Sequence, residues 1–192
     1  MSKILNTYNR KKISFSKGKG SFLYTTNGKK YLDFVQGIAV NSLGHANKKL
    51  NKAIQDQSNK VWHVSNAFKI PEGEKLAKRL VKRTFADAVI FQNSGAEATE
   101  TAIKAARRYF YFIGKPSKTT IICIKNSFHG RTIAAINASG SKKMTLGFGP
   151  KVPGFQHFEF GDHKKLKSLI NKNTAAIMIE TIMGEGGIKV IP

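Results

Sequence analysis

Three short unbroken hydrophobic runs punctuate the chain, Val89-Ile90-Phe91, residues 119–124 and residues 175–179, and each is followed by a polar turn. Runs without polar–apolar alternation predict strands of a sheet covered on both faces. Between them lie stretches with helical spacing. Residues 47–60 predict a helix with Leu50 and Ile54 inward. Pro71 opens a second helix, with Glu72 and Glu74 at its positive end and Leu76, Ala77, Leu80 and Val81 as its inward stripe. A third helix follows Asn93-Ser94-Gly95, where Ser94 and Glu97 have capping-box spacing. On it Ala102, Ala105 and Tyr109 share a face beside Ile103, Ala106 and Phe110, and Glu100 and Lys104 form an outer i,i+4 pair. Residues 164–170 predict a fourth, with Leu166, Leu169 and Ile170 inward.

Shorter signals fill the gaps. Phe22 to Thr25 and Tyr31 to Val35 flank Asn27-Gly28, a strong hairpin signature. Phe158-Glu159-Phe160 predicts one more strand, after a glycine-rich loop at 140–154, and the lone Trp62 is expected in the core. Strands alternating with helices predict an α/β fold whose strand ends open on one crevice, the usual place for a ligand. Three polar segments share that edge: Ser94-Gly95-Ala96, Phe128 to Arg131, and Glu180 with Glu185. At the first, the unpaired N–H groups and positive end of a helix suit a dianion such as a phosphate ester, and Gly95 lets it approach the backbone. The loop is neither a Walker phosphate loop nor G-x-G-x-x-G.

Composition changes this picture little. The 192 residues are 41% hydrophobic, enough for a real core. There is no apolar run of transmembrane length and no signal core at residues 1–6, so a cytoplasmic protein without a membrane partner is expected. The single Cys123 lies inside an apolar run and reads as a small buried hydrophobe. A net charge of +22, from 33 Lys and Arg against 11 Asp and Glu, suggests nucleic acid when taken alone. The lysines are scattered, however, and no aromatic–basic RNA motif or basic recognition helix accompanies them. The charge is read as solvated surface that steers anionic ligands, with no nucleic-acid partner.

Asn93-Ser94-Gly95-Ala96-Glu97-Ala98 with Ile103 to Tyr109, then Phe128-His129-Gly130-Arg131-Thr132, then Glu180 to Gly187, resemble in order three hallmark segments of the class III pyridoxal-phosphate-dependent aminotransferases. The opening, Tyr31-Leu32-Asp33-Phe34 and Gly37 to His45, matches as well, and with Phe128 to Arg131 it is most similar to the acetylornithine branch. The resemblance spans nearly the whole chain. It implies the fold type I, aspartate-aminotransferase-like architecture in incomplete form: residues 1–60 as part of the small domain, and 61–192 as the first half of the large, cofactor-binding domain, truncated at Pro192. It implies pyridoxal 5'-phosphate as cofactor, held by Ser94, Gly95, Ala96, Phe128 and His129, with Phe128 stacked on the pyridine ring. It assigns Arg131 to a substrate carboxylate, and Glu185 to a substrate-binding role through pairing with a distant arginine. The implied reaction passes an amino group between N-acetylornithine and 2-oxoglutarate in arginine biosynthesis, in a homodimer. Relatives acting on ornithine, succinylornithine, 4-aminobutyrate or diaminopelargonate share these motifs.

Two local departures stand out. Thr181 and Met183 replace the proline and glutamine usual after the first glutamate, which loosens the expected geometry of Glu180 and Glu185. Ala46-Asn47 stands where relatives carry His-Pro at a helix start. The larger departure is length. A family member is about twice as long, and no lysine here occupies the motif of the Schiff-base lysine, nor is the aspartate that pairs with the ring nitrogen present. The resemblance therefore predicts a fragment with no catalytic residue of its own, binding the cofactor weakly and transaminating nothing measurable. A non-catalytic cofactor-binding remnant is the other reading.

Overall fold

The hairpin at Asn27-Gly28 forms as its sequence predicts. In the computed structural model, which describes residues 3–191, β2 (Phe22–Thr25) and β3 (Lys30–Leu32) pair antiparallel, and β1 (Phe15–Lys19) adds a third strand on the far side of β2. Met1 and Ser2, in the segment read for a signal, and Pro192, the expected truncation point, lie outside the described residues. The chain divides into two compact units, one running to Arg83 and one from Thr84 onward, so the boundary expected at 60/61 falls inside the first.

In the first unit β3 stops at Leu32 because Asp33 turns inward. Its carboxylate accepts hydrogen bonds from the Gln36 N–H (2.8 Å) and from His45 Nε2 (2.7 Å), while His45 Nδ1 accepts from the Asn41 amide (2.7 Å). The donors of Gln36 and His45 hold the Asp33 carboxyl below its ordinary pKa. The turn α1 (Gln36–Ala39) has left-handed backbone angles, with φ of +64° at Gly37 and +61° at Ile38. Helix α2 (Lys48–Ser58) starts at Asn47, whose side-chain oxygen accepts from the Lys49 and Leu50 N–H groups, so the replacement of His-Pro keeps a competent cap. Helix α3 (Pro71–Val81) starts at its proline, as expected. The stripes on both helices are not buried: Leu50 is 47% exposed, Ile54 69%, Leu76 46% and Leu80 39%. Trp62, expected in the core, is 84% exposed, its indole N–H donating to the Ser58 carbonyl. Helical spacing tells which side of a helix prefers burial, and says nothing of whether a covering surface is present.

The buried hydrophobic core lies in the second unit, around a parallel sheet of order β5-β4-β6: β5 (Phe155–Phe158), β4 (Thr120–Ile124) and β6 (Thr174–Met178). The central β4 is covered on both faces, as its unbroken apolar run predicts. Ile121 and Cys123 pack with Ile103 of α4 (Gly95–Phe112) and Ala138 of α5 (Ile133–Ala138). Ile122 and Ile124 point the other way, to Phe158, Met183 and the leucines Leu166 and Leu169 of α7 (His163–Leu169). Cys123 is the buried hydrophobe expected, and burial pushes its thiol up to about 12. A short helix α6 (Lys142–Thr145) and a two-residue ribbon, β7 (Ile182–Met183) with β8 (Lys189–Val190), complete the unit. Among the described residues no helix is long and apolar enough to cross a membrane.

Several expectations are corrected. Val89-Ile90-Phe91 forms no strand: nothing pairs with it among the described residues, and Ile90 and Phe91 are 70% and 50% exposed. An apolar run becomes a strand only beside a second backbone. On α4 the inward side is Ile103 with Ala106, Arg107 and Phe110, whereas Ala102, Ala105 and Tyr109 face solvent. Arg107 reaches across to the Thr119 and Pro153 carbonyls (3.1 and 3.0 Å), fixing that side against the sheet. Glu100 turns to the Thr132 hydroxyl instead of pairing with Lys104. The strand expected at 158–160 runs at Phe155–Phe158, α6 lies within the stretch expected as glycine-rich loop, and α5 forms where no element is expected.

Candidate active site

The site is built from three segments at the C-terminal end of the parallel sheet, all within the second unit. In the first, Ser94 has extended backbone angles and caps α4, its Oγ accepting the Glu97 N–H at 3.2 Å. The return bond of the predicted capping box is displaced by one residue: Glu97 Oε2 accepts from the Asn93 N–H at 2.7 Å. The Gly95 and Ala96 amides have no acceptor among the described residues, and a Cβ placed on Gly95 meets no atom within 4 Å. Two free donors at the positive end of an 18-residue helix, beside a glycine with open space around it, suit a phosphate ester. The Ser94 hydroxyl proton, not used in capping, remains free to donate.

The second segment follows β4. Ser127, fully buried, donates to the Ile124 carbonyl (2.7 Å), so its oxygen accepts from His129 Nε2 at 2.9 Å, placing the imidazole proton on Nε2. Burial lowers the His129 pKa, partly opposed by the negative charge of Glu180 and reinforced by His157. His129 is thus a neutral prop beneath the loop. Gly130 has φ +123°, and a Cβ there would stand 3.5 Å from Ala96 Cα and 3.3 Å from Ala135 Cβ. This close approach seats the Phe128–Thr132 loop directly against the turn that begins α4. Thr132 then caps α5 through the Ala135 N–H (3.2 Å).

The third segment follows β6. The Glu180 carboxylate accepts the Phe128 N–H through Oε1 at 2.7 Å and faces the Gly184 N–H with Oε2 at 3.4 Å. Met183, where glutamine was expected, is 2% exposed, and Gly186 fits against it so closely that a Cβ there would stand 2.7 Å from Met183 Cε. Packing thus secures the loop that the lost proline and amide were expected to loosen.

A cavity of about 730 Å³ opens among these loops, with Phe128, Arg131 and Glu185 on its wall. Arg131 and Glu185 have no hydrogen-bond or charge partner among the described residues, which leaves both available to a ligand. Gly95 and Ala96 lie outside that wall, beside it through Gly130. Sequence reasoning missed Lys143, Met144 and Phe148, which close the cavity from α6 and the loop after it. Their stretch is glycine-rich, and helical spacing across the four residues of α6 is too short a signal to stand out.

A parallel α/β unit with a donor-lined turn, an aromatic loop and a free guanidinium at one sheet end has the architecture of the fold type I transaminases. The ornithine aminotransferase of Toxoplasma gondii superposes with a TM-score of 0.91 at 31% identity, covering 99% of this chain and 46% of that one. A thermostable (S)-enantioselective omega-transaminase from Thermomicrobium roseum gives 0.85 at 29% identity, over 94% of this chain and 46% of that one. The family model described as aminotransferase class-III matches residues 5–192, and the chain belongs to that family. Among its relatives are the acetylornithine aminotransferases of Agrobacterium fabrum, 54% identical over 97% of this chain and 47% of that protein, and of Rhodobacter capsulatus, 50% identical over 100% and 49%. The chain spans about half the length of the curated relatives it matches.

Proposed function

We propose that this chain forms the phosphate- and carboxylate-binding half of an acetylornithine aminotransferase, using pyridoxal 5'-phosphate to exchange an amino group between N-acetylornithine and 2-oxoglutarate. The observation that carries this reading is the seating of Gly130 on Ala96, which sets the Phe128–Arg131 loop beside the donor-lined turn at Gly95. Relatives about 50% identical carry the acetylornithine name, and a solved structure of the Toxoplasma gondii ornithine aminotransferase, 32% identical, is described with pyridoxal phosphate at its active site. Arginine biosynthesis, a cytoplasmic setting and a homodimer belong to the same reading. Exposed apolar side chains such as Ile90 and Phe112 support association with further polypeptide.

When bound, the cofactor supplies the electron sink that lets an amino group leave one carbon and join another. The chain's residues do the holding. Gly95 and Ala96 donate N–H groups to the phosphate, with the Ser94 hydroxyl beside them. Phe128 offers an aromatic face that keeps a pyridine ring flat, so that the breaking bond stays aligned with the ring's π system. Arg131 grips a substrate carboxylate with two parallel N–H donors, a geometry lysine does not offer. Glu185 stands across the same cavity as the group that adjusts it between substrates, and His129 supports the loop from within through Ser127. No lysine here matches the motif of the covalent anchor, so the chain by itself binds and does not turn over.

Titration calorimetry with 2-oxoglutarate and N-acetylornithine tests the carboxylate site. Arg131→Gln is expected to weaken both by about tenfold or more, since a charge-assisted bidentate pair is lost. Unchanged affinities contradict the assignment of Arg131, whereas measurable transamination by the purified chain contradicts the statement that it binds without turnover.

A further inference from the structure

The loop that presents Phe128 and Arg131 lies between β4 and α5, and regular secondary structure does not fix its path. Beside the Ser127–His129 bond and the Gly130 contact, two carboxylates from outside the loop hold its two ends. At its start, Glu180 Oε1 accepts the Phe128 N–H at 2.7 Å. At its end, the Thr132 hydroxyl donates to the Glu100 carboxylate on α4. Glu180 reaches Phe128 because β6 runs parallel to β4 with Met178 beside Cys123, which brings the residues after both strands to the same edge. Its second oxygen faces the Gly184 N–H, one residue before Glu185. A single side chain therefore ties the segment bearing the aromatic face to the segment bearing the cavity's carboxylate. The bond is charge-assisted and stronger than an amide–carbonyl bond. With its amide held, the backbone from which the Phe128 ring projects is anchored, which narrows the range of ring planes its side-chain rotations can reach.

We propose that Glu180 is a positioning residue, setting through the Phe128 amide the orientation of the aromatic face offered to a planar pyridine ring, and coupling that face through Gly184 to the Glu185 loop. This rests on the cofactor reading above. A carboxylate that merely stitched two loops together would affect folding and leave ring orientation untouched, which separates the two roles.

The suitable probe is pyridoxamine 5'-phosphate, which lacks the aldehyde that condenses with surface lysines. Its dissociation constant and induced circular dichroism are measured on the 192-residue chain, on Glu180→Ala, Glu180→Gln and Phe128→Ala, and on the Glu180→Ala/Phe128→Ala double variant. Glu180→Ala is expected to weaken binding about tenfold and to shift the dichroism toward that of Phe128→Ala. Glu180→Gln, which keeps an acceptor oxygen, recovers part of both. The double variant binds no worse than Phe128→Ala, because one residue acts through the other. Additive losses, or a Glu180→Ala chain indistinguishable from wild type, overturn the proposal.

Amide hydrogen exchange gives a readout that needs no ligand. The Phe128 N–H is expected to exchange at least tenfold faster in Glu180→Ala while the Ile122 and Ile124 amides of β4 keep their protection. Failure of the wild-type chain to bind the probe sinks the cofactor reading and the ligand named here. Unchanged exchange at Phe128 sinks the pin itself.

Discussion

Gly130 is the residue on which the local geometry turns. Its φ of +123° lies where side chains are strained, and its missing Cβ faces Ala96 and Ala135 at 3.5 and 3.3 Å. Gly130→Ala is expected to cost about 2 kcal/mol, read as a lower denaturant midpoint, because its backbone conformation strains any side chain and the Ala135 Cβ stands close by. A midpoint unchanged within experimental error contradicts that strain. Met183 makes a complementary point. Where the family resemblance gives a glutamine, the Met183 thioether fills the core beside Ile122, Ile124 and Phe158, so a position expected to make a polar contact contributes packing instead.

Among the elements, β4 was the most legible from sequence and the run at 89–91 the most misleading. Both are apolar and unbroken. Only β4 has parallel neighbours on both sides, and hydrophobicity does not report whether a neighbour exists. The starts of α2, α3 and α4 were readable because Asn47, Pro71 and Ser94 carry their own local chemistry. Their buried faces were not, because burial depends on what lies opposite. The site's members were recognisable as motifs, yet the Glu180–Phe128 and Glu100–Thr132 bonds join residues 52 and 32 positions apart, which no local pattern reveals. Two histidines embedded between elements give this scale its prediction. His129 rests on Ser127, and His157 Nε2 donates to the Asn137 and Ala138 carbonyls. Burial is the main cause lowering both pKa values in the folded chain. Below an unfolded value of about 6.5 the unfolded chain therefore binds more protons than the folded one, and stability rises with pH up to that point. The urea midpoint is expected to fall as pH drops from about 7 toward 5. His129→Gln and His157→Gln should each flatten that slope, and a slope that both variants leave unchanged contradicts the assignment.

At the scale of the molecule, the chain carries a net charge of +22. That charge attracts any phosphate, so affinity alone does not establish where one sits. The discriminating measurement compares pyridoxamine 5'-phosphate with pyridoxamine, which lacks the phosphate, on wild type and on Gly95→Leu. The substitution leaves net charge unchanged and places a bulky side chain, for which the structure has room, on the first of the two donor residues at the start of α4. The phosphorylated compound is expected to bind wild type at least tenfold more tightly than its partner, and Gly95→Leu to erase most of that difference. Equal affinities on wild type, or a preference that survives Gly95→Leu, would contradict a phosphate seated on the α4 turn.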